Sequence, residues 1–134
     1  MQSRWVGLAV GVLGVASCNF SPSGDGGNGN GSCTPGSPRV CMIGTTTFSF
    51  SPKNLTVTAG ATVTWRNETS VPHTVNAARD SKEVFSSGGD VPPGTAYAHV
   101  FDHVGTYPYY CIHHGTNTSP PTGMWGTITV QAAP

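Results

Sequence analysis

The sequence predicts an all-β protein, a Greek-key β-sandwich of about seven or eight short strands. Three features point that way: repeated two-residue alternation, Gly- and Pro-marked turns between the alternating runs, and no stretch with a sustained helical period. Phe48 and Phe50 alternate with Ser49 and Ser51. Leu55, Val57 and Ala59 alternate with Thr56 and Thr58, and Val63 and Trp65 with Thr62, Thr64 and Arg66. Alternation of this kind puts one face of a strand in a core and the other in water. Ala59-Gly60-Ala61 supplies the turn between the second and third runs. Residues 71–77 read as the next strand, and residues 76–93 as an irregular stretch holding a loop, a short strand and a helical turn. Residues 95–101 and 106–111 read as a strand pair turned at 102–105, and residues 126–131 as the closing strand, with Ile128 and Val130 on one face.

The chain has 134 residues, enough for one domain. Six basic residues balance six acidic ones, so there is no basic face for nucleic acid. Gly and Pro are abundant, 18 and 11, and many lie in the first third of the chain.

The N-terminus reads as an address. Arg4 precedes a short apolar run that ends in small residues, the pattern of a secretory signal, and the run is too short to span a bilayer as a finished helix. Val15-Ala16-Ser17-Cys18 resembles the lipobox of bacterial lipoproteins, in which the cut falls before the Cys and the Cys takes the lipid. That resemblance implies a signal peptide over 1–17 and lipidation at Cys18. An ordinary signal peptide cut near the same place is the alternative. Residues 18–44 are rich in Gly, Asn and Ser and read as a flexible, membrane-anchored linker ahead of a domain at 45–134.

Near the C-terminus a strand delivers Cys111, a loop supplies His114 and Met124, and another strand leaves; upstream, Val71-Pro-His-Thr-Val75 carries His73. Singly, His73 reads as structural, Met124 as core packing and Cys111 as a small buried apolar residue. Together, one thiolate, two imidazoles and a thioether are the donor set of a blue-copper electron-transfer site. Structural zinc sites rarely use a thioether, and calcium would require clustered oxygens. Asp102 and His103 have no nucleophile motif beside them, so a hydrolytic triad is not indicated.

Three segments carry a wider resemblance: Pro-His-Thr-Val, Tyr-Tyr-Cys-x-x-His-Gly and Gly-Met-x-Gly-Thr-Ile-Thr-Val, in that order over residues 48–130. They are similar to the plastocyanin/azurin-type cupredoxin family, above all its plastocyanin, pseudoazurin and amicyanin branch. The resemblance implies a cupredoxin sandwich holding one Cu(I)/Cu(II) ion through His73, Cys111, His114 and Met124. In the Cys-x-x-His frame His114, not His113, is the ligand. His114 also becomes the electron port, set among His113, Pro120, Pro121 and Trp125. Two departures stand out. Nine residues separate His114 from Met124, a long loop for this family, and Thr74 stands where relatives often have Asn.

With Cys18 assigned to lipid and Cys111 to metal, Cys33 and Cys41 are expected to pair in the oxidising space outside the cytoplasm, free or intermolecular thiols being the alternative. The function expected is an exported, lipid-anchored, monomeric electron carrier of the cell envelope that meets a cytochrome or membrane oxidoreductase transiently. A periplasmic copper-buffering protein is the alternative. So few charges imply docking through a small apolar patch. Electron transfer should then depend weakly on ionic strength, and a steep fall of the rate with added salt would contradict this.

Overall fold

The computed structural model describes Cys33, Pro35 and residues 38–134. The signal peptide expected over 1–17, Cys18 and most of the expected linker lie outside the described residues. Eight strands form the described chain: β1 (Arg39–Ile43), β2 (Ser49–Ser51), β3 (Asn54–Thr58), β4 (Ala61–Asn67), β5 (Asn76–Ala77), β6 (Ala96–Phe101), β7 (Gly105–Thr116) and β8 (Thr122–Gln131). One sheet has the order β2-β1-β4-β6 and the other β3-β8-β7-β5. From β2 to β7 every connection changes sheet, which makes the fold a Greek-key sandwich closed on one core. Both sheets are mixed: β1 runs parallel to β4, and β3 parallel to β8.

The alternating segments face as their sequence requires. Leu55 and Val57 of β3, Val63 and Trp65 of β4, and Ile128 and Val130 of β8 are buried, while the threonines of β3 face out. Trp65 is the centre of the core, with ring centroids 5.3 Å from Tyr109, 5.6 Å from Tyr97, 6.0 Å from Phe85 and 6.2 Å from Phe101. Offset and edge-on aromatic packing of this kind adds to the burial energy of each ring.

Several expectations are corrected. The boundary at residue 45 is too late, because β1 lies between β2 and β4 and buries Val40, Cys41 and Met42. Those apolar residues belong to the core and not to a linker. Cys41 is joined to Cys33 by a disulfide, with Cα atoms 5.8 Å apart. The expected pair of strands at 95–101 and 106–111 is not a pair: β6 joins β4, and β7 joins β8 and β5 in the other sheet. Residues 71–77 contribute only the two-residue β5, with His73 in an isolated bridge to Val91. Residues 76–93 carry a second bridge, Asn76 to Ser86, and no helix.

Candidate metal centre

The site is assembled at one end of the sandwich from the β4–β5 connection and the β7–β8 hairpin. His73 follows Pro72, and its backbone is fastened to Val91 on both sides, by His73 N–H to Val91 O at 3.3 Å and Val91 N–H to His73 O at 2.6 Å. Its side chain is fully buried. Burial, then the neighbouring His114 and His113, push the His73 imidazole down to about 4, so it is neutral at pH 7 with a lone pair to offer.

Cys111, His114 and Met124 come from β7 and β8. These strands pair regularly up to Tyr110 opposite Trp125, break register, and resume with Gly115 opposite Gly123. The irregularity lifts Cys111 through His114 out of the ladder and turns the thiol and the second imidazole toward His73. Cys111 is buried and receives a hydrogen bond from Thr74 N–H at 3.3 Å. The Thr74 hydroxyl accepts from Ile112 N–H at 2.9 Å, tying the two ligand segments together a second time. The backbone donor therefore supplies the contact to sulfur, whatever side chain follows His73.

His73 Nδ1, His114 Nδ1 and Cys111 Sγ form a triangle with sides of 3.2, 3.7 and 3.7 Å. The centre of such a triangle is about 2 Å from each corner, the length of an imidazole or thiolate bond to a first-row metal, roughly 2.0–2.3 Å. Two imidazole nitrogens and one thiol sulfur at these separations are a donor set that fits a metal ion. Met124, 1 % exposed, shares a cleft of about 300 Å³ with His114, Gly123, Thr46, Thr47 and Phe48. All four residues named from the sequence thus meet at one end of the sandwich, and His114 alone among them is exposed.

The long loop does not loosen this arrangement. Gly115 faces Gly123 and Thr116 faces Thr122, so the extra residues form the tip of the β7–β8 hairpin beyond the ligands. Asn117 accepts from Arg79 N–H at 2.8 Å, and the Ser119 hydroxyl donates to Asp80, which fastens the tip to the turn after β5. A Cβ on Gly123 would lie 2.4 Å from His114 O, and one on Gly115 2.8 Å from Met124 O. Only glycines allow the two ligand-bearing strands to approach this closely.

The surroundings of His114 differ from expectation. His113 is adjacent but holds Asp90 at 2.6 Å. Trp125 alternates with Met124 along β8, so it takes the opposite face, where Lys53 Nζ lies 4.0 Å from its ring centroid. The aromatic neighbour is instead Phe48, with ring centroids 4.9 Å from His73 and 4.7 Å from His114. In the sequence Phe48 is marked only as one member of an alternating pair. His99 packs on Phe85 and Phe101, and His103 pairs with Glu83 at 2.5 Å, both away from the triangle.

The copper-binding proteins of the plastocyanin/azurin family match residues 39–131. A plastocyanin from Scenedesmus fuscus is 40% identical over 92 residues, which cover 61% of this chain and 86% of that protein. A purple cupredoxin from Nitrosopumilus maritimus superposes with a TM-score of 0.54 at 30% identity, covering 69% of this chain and 98% of that one. A mutant of amicyanin in its reduced Cu(I) form gives a TM-score of 0.57 at 25% identity, covering 75% and 87%. The match begins at the first residue of β1 and ends at the last of β8, so it spans the whole sandwich together with its donor cluster: the chain belongs to the plastocyanin/azurin family of copper-binding proteins.

Proposed function

We propose that this protein is a type 1 blue copper protein that carries single electrons between redox partners outside the cytoplasm. His73, Cys111, His114 and Met124 hold one copper ion. The observation that carries the reading is the triangle of two imidazole nitrogens and one cysteine sulfur, with a thioether in the adjoining cleft and no carboxylate in the group. When bound there, copper supplies a Cu(I)/Cu(II) couple that accepts and returns one electron.

The chain's own residues hold the donors still, which keeps the geometry nearly constant between the two oxidation states. The two bonds through Thr74 tie the His73 segment to the Cys111 segment, the Gly115–Gly123 pairing ties the His114 and Met124 segments, and the Val91 bridge anchors the backbone of His73. Phe48 lies edge-on to His73 and tilted against His114, and so covers part of both imidazoles. His114, the exposed ligand, is the electron port.

The disulfide supports folding in an oxidising compartment. The protein is exported by residues 1–17, anchored to a membrane of the cell envelope by lipid on Cys18, and monomeric. It meets a cytochrome or membrane oxidoreductase transiently.

The test is an absorption titration of the purified protein with Cu(II). An intense visible band that saturates at one copper per chain, is bleached by ascorbate and returns on reoxidation is expected. Copper bound without such a band would replace this reading with copper buffering.

A further inference from the structure

Behind His73 lies a closed polar network that metal ligation alone does not explain. His73 Nε2, on the ring edge away from the triangle, is 2.8 Å from Thr69 Oγ1. Thr69 and Asn67 are themselves buried. Asn67 Nδ2 uses both its hydrogens, donating to Val71 O at 2.8 Å and to Val91 O at 2.9 Å. Asn67 Oδ1 accepts from Thr69 N–H at 2.9 Å, so the amide is oriented one way only. The Thr69 hydroxyl carries a single proton. It faces two groups that can only accept, Asn67 Oδ1 at 2.8 Å and Val71 O at 3.0 Å. Once that proton is given to either, the oxygen presents a lone pair to His73, and Nε2 must bring the hydrogen. Nδ1 is then bare, and it is the nitrogen turned toward Cys111 and His114.

We propose that Thr69, oriented by Asn67, is a positioning residue for the metal centre: its hydroxyl accepts from His73 Nε2–H, fixes the tautomer and holds the ring with Nδ1 aimed at the site. Asn67 ties the same network to Val91, whose backbone brackets His73, so ring and backbone are located from one side chain. The inference rests on the copper site proposed above. It adds a residue that is not a ligand and that replaces ring orientation by packing alone. A hydrogen bond accepted from Nε2–H also makes Nδ1 a stronger donor, which favours Cu(II) over Cu(I).

Thr69→Val keeps the shape and removes the acceptor, while Thr69→Ser restores it. Two readouts are needed, one of them without metal. In the metal-free protein, nitrogen-15 NMR of the His73 ring should show Nε2–H in the wild type and in Thr69→Ser, and a mixture of tautomers in Thr69→Val. In the copper-loaded protein, Cu(II) transfer to a chelator should be about 10–100-fold faster for Thr69→Val than for wild type, and its reduction potential higher, with Thr69→Ser within a few-fold of wild type. Matching thermal midpoints for the two variants would separate this effect from a loss of fold. A wild-type ring protonated at Nδ1, or a Thr69→Val protein with the wild-type tautomer and release rate, would overturn the proposal. A wild type lacking the visible band would sink the blue-copper reading, and the metal-free NMR would still judge the role of Thr69.

Discussion

A Cys111→Ala protein is expected to stay folded and lose the visible copper band completely. The intensity of such a band comes from the thiolate bond to copper, and Cys111 is the only free cysteine among the described residues. With the thiol gone, His73 and His114 still face each other, so weak, colourless Cu(II) binding should remain. The fold should suffer modestly. The substitution leaves Thr74 N–H without its sulfur acceptor in a buried place, a loss of about 1–3 kcal/mol. The neighbouring tie from Ile112 N–H to the Thr74 hydroxyl is untouched and should keep the segments in register. Absorption spectra of the two proteins with equal copper, and urea unfolding without copper, check both halves. A full-strength band in the variant would remove Cys111 from the site.

Replacing Gly123 by alanine should damage both fold and site, although Gly123 is no ligand. Its φ is +75°, where an L side chain costs about 1 kcal/mol or more. The new Cβ would also lie 2.4 Å from His114 O and 3.0 Å from Gly115 Cα. Those are backbone atoms, so no rotamer change relieves the contact. Strain and overpacking together should cost about 2–5 kcal/mol, with the strands forced apart between His114 and Met124. The copper band should shift or weaken as the thioether and second imidazole move. Gly88→Ala is the control: its φ is +72° but its Cβ would meet nothing, so it should show the conformational cost alone and an unaltered spectrum. Equal losses in the two variants would mean that the close approach of the strands is unimportant.

Much of this was legible in the sequence, for a physical reason. Alternation reports which face of a strand is buried, and it located the strands around Val57, Trp65 and Ile128 correctly. It does not report which strand lies alongside, so the separation of β6 from β7 into different sheets was invisible. β1 was hidden in a different way: Val40, Cys41 and Met42 form a short apolar run beside a Gly-rich stretch, with no alternation to mark it. The ligands were readable because their chemistry is rare in combination. Phe48 and Thr69 are common residues whose importance comes from what the fold places next to them, His73 above all. The 115–123 segment is long in sequence, yet Gly115 and Gly123 close it at its base, and sequence distance there says little about spatial distance.

The pairing of β3 with β8 bears on when the centre can exist. Asn54 lies against Thr127 and Thr58 against Gln131, so an early strand finds its neighbour only after β4 to β7 have been made. Contacts so distant in sequence form late and slowly, because the intervening loop must be closed first. Met124 belongs to that last strand, and Cys111 to the one before it. A chain whose β7 and β8 have not yet paired therefore has His73 but not the donors that complete the site. The centre thus waits on the closing of β8 as much as on which atoms surround the ion.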